Sequence, residues 1–168
     1  MGTIQNSINQ GLGTIAGAVA LGKHVSEQKK ANELAAIREG SELNKESTEL
    51  IENAKELQDE YKGTEEGIQA NQEEIDMANQ YTGPFRDSKG KYTTRDKYIT
   101  ARELAIKELE AKQNAIQVQR SDMANRMELY NKRLDALNAI KKGIAPDLNK
   151  KLSTEHSNAI EWVKGGNK

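Results

Sequence analysis

The sequence has 168 residues, of which 30% are charged, 35% are hydrophobic and only 4% are aromatic. So few bulky apolar residues argue against a compact globular core, and a composition rich in Ala, Glu, Lys, Gln and Leu is typical of long helices or coiled coils. The absence of cysteine excludes disulfides and thiolate metal sites, and the net charge of −1 argues against an overall basic nucleic-acid-binding protein.

Residues 1–22 form an uncharged segment rich in Gly and Ala, and the chain that follows is dense in charge. As a helix this segment would be about 33 Å long, close to the thickness of a bilayer's hydrocarbon core. Small residues four positions apart let two helix backbones approach closely. The segment is therefore predicted to insert conditionally into a membrane or to pack inside an assembly. Its predicted packing residues are Ile4, Ile8, Leu12, Gly13, Ile15, Gly17, Val19 and Leu21.

From Lys23 to about Gln80 the sequence predicts one long helix. Two series of residues, each at seven-residue spacing, interleave as the a and d positions of a heptad repeat. Such a seam predicts that this helix pairs with another helix along one face. The d series is Leu43, Leu50 and Leu57, and the a series is Ala54, Tyr61, Ile68 and Ile75.

Residues 81–94 interrupt the helical pattern with the turn signals Gly83-Pro84 and Lys89-Gly90. Thr93 is predicted to cap the next helix, because Asp96 follows three residues later as in a capping box. The interruption therefore predicts a turn between two long helices.

Basic and aromatic side chains are interleaved at this turn. The predicted function of this hairpin tip is docking on a neighbouring protein, through Phe85, Arg86, Tyr92 and Arg95. A groove that binds nucleic acid is the alternative, because cations contact phosphates and aromatic rings stack on bases. In that alternative the tip residues are joined by Lys89, Lys91, Lys97, Tyr98 and Arg102.

A second long helix is predicted from about Thr94 to Lys142. It carries one strict seven-residue series, and a second seam series that Gln113 and Arg120 interrupt. The first series is Leu109, Ile116, Met123, Tyr130, Leu137 and Ile144, and the second is Ile99, Ile106, Met127 and Leu134. Residues 143–168 are predicted to form a short helix, from Pro146 to about Val163, and a frayed tail.

Charge predicts how the two long helices pair. Residues 23–80 carry 7 basic and 15 acidic side chains, whereas residues 95–142 carry 11 basic and 7 acidic ones. The predicted fold is therefore all-α: a long antiparallel helical hairpin, coiled-coil-like, with an uncharged N-terminal helix and a short C-terminal helix. The predicted regions are residues 1–22, 23–142 with a turn at 81–94, and 143–168. Because two helices bury little surface, a homo-oligomer or partner proteins should complete the core.

No pattern in the sequence predicts an enzyme, a catalytic residue, a metal site or a cofactor. His24 and His156 lie in polar runs without a second ligand at i+3 or i+4, whereas zinc takes three or four ligands. Gly17 to His24 follows the phosphate-loop pattern except at its last position, where His24 replaces the Ser or Thr that would hold magnesium.

The uncharged Gly/Ala-rich stretch Gly11 to Lys23, followed by helix over residues 24–142, resembles small bacteriophage virion proteins. These are the ejection (internal core) proteins of podophages and the DNA pilot proteins of small single-stranded-DNA phages. The resemblance implies a protein of the virion that is delivered with the genome and assembles into a helical conduit through the host envelope. A structural role inside the particle, such as lining a portal or tail channel, is the other role it leaves open.

The resemblance implies portal or tail-channel proteins as partners, contact with nucleic acid only by proximity, and membrane contact through the N-terminus. It implies localisation in the virion and, after infection, in the host cell envelope. Two other classes fit the same pattern: a secreted bacterial helical-hairpin translocator or pore-forming protein, and an intracellular coiled-coil adaptor.

Overall fold

The computed structural model describes residues 23–140, 148 and 153–165. The predicted packing residues of the N-terminal segment, together with Ile144 and Pro146, lie outside the described residues. Three helices and one pair of short strands follow one another along the chain. They are α1 (Lys23–Gln80), β1 (Phe85–Arg86), β2 (Tyr92–Thr93), α2 (Arg95–Asn138) and α3 (Thr154–Lys164).

The two long helices pack together, which confirms the prediction of an all-α helical hairpin. Near the turn, Glu74 of α1 pairs with Arg102 of α2. Further from the turn, Gly67 of α1 faces Leu109 of α2. Contacts that move back along α1 as they move forward along α2 mean that the two helices are antiparallel.

The chain divides into two compact units, and both long helices contribute to each of them. Of the described residues, the first unit comprises 23–55, 123–140, 148 and 153–165, and the second comprises 56–122. The predicted regions were continuous stretches of sequence, whereas each of these units combines parts of both long helices. Each unit buries its own set of residues.

The core of the first unit contains parts of all three helices. Its buried apolar residues include the predicted seam residues Leu43, Leu50, Tyr130 and Leu137, and Met123 is half-buried against them. The full cluster of buried side chains is Ala36, Leu43, Leu50, Ala54, Ala124, Met127, Tyr130, Leu134, Leu137, Leu148, Ala159, Ile160 and Val163. The C-terminal helix thus packs into the same core as the hairpin.

The prediction that the C-terminal helix begins at Pro146 is wrong. Leu148 lies in a turn, and Ser153 is the N-cap, with its hydroxyl accepting a hydrogen bond from the backbone N–H of His156. A serine at this position satisfies an N–H that lacks a partner inside the helix. The His156 ring also contacts Glu52 of α1, with 3.0 Å between Nε2 and Oε1, and this contact joins α3 to α1.

The second unit has a smaller apolar seam. Leu57, Ile75 and Ile116 are buried. The other predicted seam residues of bulky apolar type in this unit are half-buried: Tyr61, Ile68, Ile99, Ile106 and Leu109. Its buried apolar side chains are therefore few, and they are spread along the two helices.

Polar residues complete the seam of the second unit. Thr64 is buried and Asn71 is half-buried at positions that continue the leucine series of α1. Thr64 Oγ1 donates to the Tyr61 carbonyl at 2.6 Å, and Asn71 Nδ2 donates to the Gly67 carbonyl at 2.7 Å. Each side chain thus uses a carbonyl of its own helix, so its burial leaves that donor paired.

The predicted cap of α2 is wrong by one residue. Thr93 belongs to strand β2, and Thr94 instead accepts a hydrogen bond on Oγ1 from the backbone N–H of Lys97 at 3.2 Å. Thr93 matches the capping-box pattern through Asp96, whereas Thr94 is followed three residues later by Lys97. The pairing of Thr93 with Phe85 assigns Thr93 to the strand and leaves Thr94 to cap the helix.

The first unit also buries charge. Arg133 of α2 is 3% exposed and forms an ion pair with Glu46 of α1. Glu39, seven residues further from the turn on α1, is 8% exposed. Burial raises the pKa of the Glu39 carboxyl, the charge of Glu42 adds to that rise, and Arg133 opposes it. Glu39 Oε1 has no hydrogen-bond partner among the described residues. Folding therefore favours the protonated form of Glu39.

We expect Glu39→Gln to stabilise the first unit more at alkaline pH than at acidic pH. Because the folded state holds the Glu39 proton more tightly than the unfolded chain does, the free energy of unfolding falls as pH rises above the ordinary glutamate pKa of 4.5. The neutral amide of the Glu39→Gln variant does not titrate, so its free energy of unfolding lacks this decrease with pH. The measurement is Tm by circular dichroism across pH, with the exposed Glu49→Gln as the control. If the difference in Tm between Glu39→Gln and the parent chain is the same at every pH, the raised pKa of Glu39 is contradicted.

Candidate docking site at the hairpin tip

The hairpin tip is built around the side chain of Phe85 at the start of β1. The Phe85 ring lies edge-on to Tyr81, with 5.6 Å between ring centroids, and 5.4 Å from the ring centroid of Tyr98. The Arg95 guanidinium lies 5.9 Å from the centroid of the Phe85 ring and donates to the Tyr81 carbonyl. The end of α1, the strand pair and the start of α2 are therefore joined through one half-buried aromatic side chain.

A tight loop, residues 87–91, connects the two strands of the tip. Phe85 pairs with Thr93 and Arg86 with Tyr92 in the antiparallel register. Asp87 Oδ1 accepts hydrogen bonds from two loop N–H groups, those of Lys89 and Lys91, each at 2.9 Å. Gly90 has a φ of 75°, a conformation that glycine adopts without steric cost. These bonds fix where the two lysine side chains leave the loop.

Arg86 covers the exposed ring of Tyr92. Its guanidinium carbon lies 4.2 Å from the ring centroid, Nη1 donates to the Gly90 carbonyl at 2.9 Å, and Nη2 donates to the Tyr92 hydroxyl at 2.8 Å. An arginine held over an aromatic face is partly ordered before any partner arrives, which reduces the entropy lost on binding. Tyr92 remains 69% exposed, so this pair faces outward.

A polar cluster fixes the side of the tip where α1 meets α2. Glu74 Oε2 accepts a hydrogen bond from the Tyr98 hydroxyl at 2.7 Å and lies 2.7 Å from Arg102 Nε. Donation to the carboxylate raises the pKa of the Tyr98 hydroxyl, because the bond is lost when the phenol ionises. Arg102 also lies 5.0 Å from the centroid of the Tyr98 ring. The cluster holds the Tyr98 ring in place beside Phe85.

An open groove of about 690 Å³ lies between the end of α1 and the strands. Exposed apolar side chains form much of its rim, since Met77 is 62% exposed and Tyr81 is 50% exposed. Its lining residues are Glu74, Met77, Ala78, Gln80, Tyr81, Pro84, Phe85, Arg86 and Tyr98. Large exposed apolar side chains beside ordered cations are typical of a surface that binds another macromolecule.

Lys89, Lys91 and Lys97 of the tip are exposed and form no ion pair with any residue that the structure describes. Their charge is therefore available to an acidic partner. Together with Arg86 and Arg95 they make the tip basic.

The structure places the four predicted tip residues in two neighbouring pairs. Arg95 lies over Phe85, and Arg86 lies over Tyr92. The prediction did not include Met77 and Tyr81 at the end of α1. The only signal for them is their position just before the Gly83-Pro84 turn.

Among the helices of residues 23–140 and 153–165, none is long and apolar enough to cross a membrane. The same residues contain no group of His, Cys, Asp and Glu side chains that could hold a metal ion.

The chain matches no protein-family model, no curated protein and no solved structure.

Proposed function

We propose that this chain is a non-enzymatic structural protein of a bacteriophage particle, of the ejection or DNA pilot type. In this proposal its helical hairpin forms an oligomer that lines the portal or tail channel or assists passage of the genome through the cell envelope. The N-terminal segment packs in the assembly or inserts into the envelope. The proposal is supported by the long helical hairpin and by the sequence organisation that resembles such virion proteins.

The observation that carries a binding role is the exposed aromatic and basic tip. Met77, Tyr81 and Tyr92 expose large apolar surfaces, while Arg86 is ordered by three contacts with the strand pair. Aromatic residues and arginine dominate the energetics of protein–protein interfaces. We infer that the tip is the surface through which the hairpin docks on a neighbouring protein of the particle.

The test is whether the chain is a component of purified particles and whether its incorporation depends on the tip. We expect mass spectrometry to detect the chain in particles and cryo-electron microscopy to locate helical density in the channel. The double variant Arg86→Ala, Tyr92→Ala should reduce incorporation at least about tenfold, since each residue is expected to be an interface anchor.

The matched control is Val118→Ala, which changes an apolar side chain of α2 that is 71% exposed. This control should be incorporated like the parent chain. Absence of the parent chain from particles would contradict the proposed function, and equal incorporation of all three chains would contradict docking through the tip.

A further inference from the structure

We propose that the tip groove binds a second copy of this chain, at the acidic part of α1 around Gly63, so that two chains form an antiparallel dimer. The inference rests on the proposed function, in which the tip is a docking surface, and it names the partner of that surface. All residues named in support of this dimer belong to the second unit.

Charge complementarity is the first argument. Residues 81–102 carry six basic and two acidic side chains, whereas residues 56–66 carry five acidic and one basic. Glu56, Glu60 and Glu66 are exposed and form no ion pair with any described residue, and the same holds for the three tip lysines. A basic tip and an acidic helix on one unit can neutralise each other when two copies associate in opposite directions.

Gly63 is the second argument. It lies within α1 and is exposed, and a Cβ atom added there would meet nothing within 4 Å. Since nothing lies close to that position, packing inside the chain does not require a glycine there. Glycine is also the least favourable helix residue after proline, so it weakens the helix at this point. Gly67 differs, because a Cβ there would lie 2.9 Å from Leu109 Cδ1. The missing side chain of Gly63 instead leaves room on the outer surface of α1.

The third argument is the spacing of exposed residues on α1. Glu56, Gly63, Ala70 and Met77 are seven positions apart, which places them on one face of the helix, and all four are exposed. We define them as the outer stripe. Gly63 and Met77 lie at equal distances on either side of Ala70, each about 10.5 Å away at about 1.5 Å per residue.

An antiparallel dimer with its two-fold axis at Ala70 uses all of these features at once. Each Met77, on the rim of the groove, then packs over the partner's Gly63, and each tip extends to the partner's Glu56 and Glu60. The contact is isologous, so two copies close the assembly. In this register Glu66 lies opposite the partner's Glu74, with Glu73 beside it, so these carboxylates bring like charges together near the axis.

Disulfide cross-linking tests this register, because the chain contains no cysteine of its own. The full-length chain with Ala70→Cys should form a disulfide-linked dimer on mild oxidation, since Ala70 meets its own copy at the axis. Gln72→Cys is the matched control, because Gln72 is exposed on the opposite side of α1. A mixture of Gly63→Cys and Met77→Cys chains should form the mixed dimer. Equal cross-linking of Ala70→Cys and Gln72→Cys overturns the proposal.

Charge reversal tests the attraction. One variant carries Lys89→Glu with Lys91→Glu, and the other carries Glu56→Lys with Glu60→Lys. Each alone should raise the dimer Kd about tenfold in sedimentation experiments. An equimolar mixture should regain association, because each reversed tip then meets a reversed acidic stretch. No gain on mixing overturns the proposal.

Two further outcomes are distinguishable. If the reversed tip leaves self-association unchanged but abolishes binding of a single-stranded DNA oligonucleotide, the occupant of the tip is nucleic acid and the proposal is wrong. A chain found in particles that forms no dimer contradicts only this inference. A dimer that forms from a chain absent from particles contradicts only the proposed function.

Discussion

Tyr130→Ala is expected to lower the free energy of unfolding of the first unit by about 3–5 kcal/mol. Tyr130 is 0% exposed and belongs to the cluster in which α1, α2 and α3 meet. Truncation removes its buried apolar contacts and leaves a cavity that the surrounding helices only partly close. The measurement is chemical denaturation followed by tryptophan fluorescence, because Trp162, the single tryptophan of the chain, packs against this cluster.

The control for this experiment is Val118→Ala on the exposed surface of α2, which should change the free energy of unfolding by no more than about 0.5 kcal/mol. A loss for Tyr130→Ala as small as that of the control would contradict the burial of the ring.

Arg133→Ala is expected to cost about 2–3 kcal/mol in the first unit, because it removes the buried partner of an ion pair whose other partner, Glu46, is 32% exposed and so partly solvated. The Arg133 side chain is 4% exposed and pairs with Glu46, and Glu39 lies close enough for Arg133 to affect its pKa. Without the guanidinium, both carboxylates lose their compensating charge. Chemical denaturation followed by circular dichroism and by Trp162 fluorescence measures the loss.

Lys132→Ala is the matched control, since Lys132 precedes Arg133 and pairs with Glu128 on the surface, where its side chain is 69% exposed. That change should cost no more than about 0.5 kcal/mol. The double variant Arg133→Met, Glu46→Leu should recover stability relative to Arg133→Ala, because it removes both charges together. A loss for Arg133→Ala equal to that of Lys132→Ala would show that the buried pair contributes nothing.

The long helices were predictable because bulky residues recur every seven positions. Leu43, Leu50 and Leu57 define a face that excludes water only when it meets another helix, and Gly83-Pro84 marks the point where the chain reverses. The two strands of the tip were not predictable, since each has two residues and is too short to show the alternation of a half-buried strand.

The polar part of the core was not predictable from apolar spacing. Thr64 and Asn71 occupy seam positions, and nothing in their residue type indicates burial. Arg133 is buried between two predicted seam positions, Met127 and Leu137, because Glu46 lies opposite it on the other helix. Pairing between residues 87 positions apart depends on the tertiary fold, which a periodicity of seven does not specify.

At the tip, the residue types were predictable and their arrangement was not. Alternation of Phe85, Arg86 and Tyr92 with lysines indicated a binding surface. The groove also requires Met77 and Tyr81, which reach it only because α1 continues to Gln80 beside the strand pair.

The polar seam of the second unit has a consequence for local unfolding. Thr64 donates to a carbonyl of its own helix. Asn71 does the same, and the one hydrogen bond it makes to α2 is long, with 3.4 Å between Arg102 Nη1 and Asn71 Oδ1. The two helices of this unit are held together by few buried apolar residues and by the polar contacts of Glu74 with Tyr98 and Arg102, whereas the first unit buries an apolar cluster drawn from three helices. Proteins open in cooperative segments whose free energies differ, and weakly packed segments open first. The tip is therefore carried by the foldon of lower stability, and its helices can separate while the first unit stays folded.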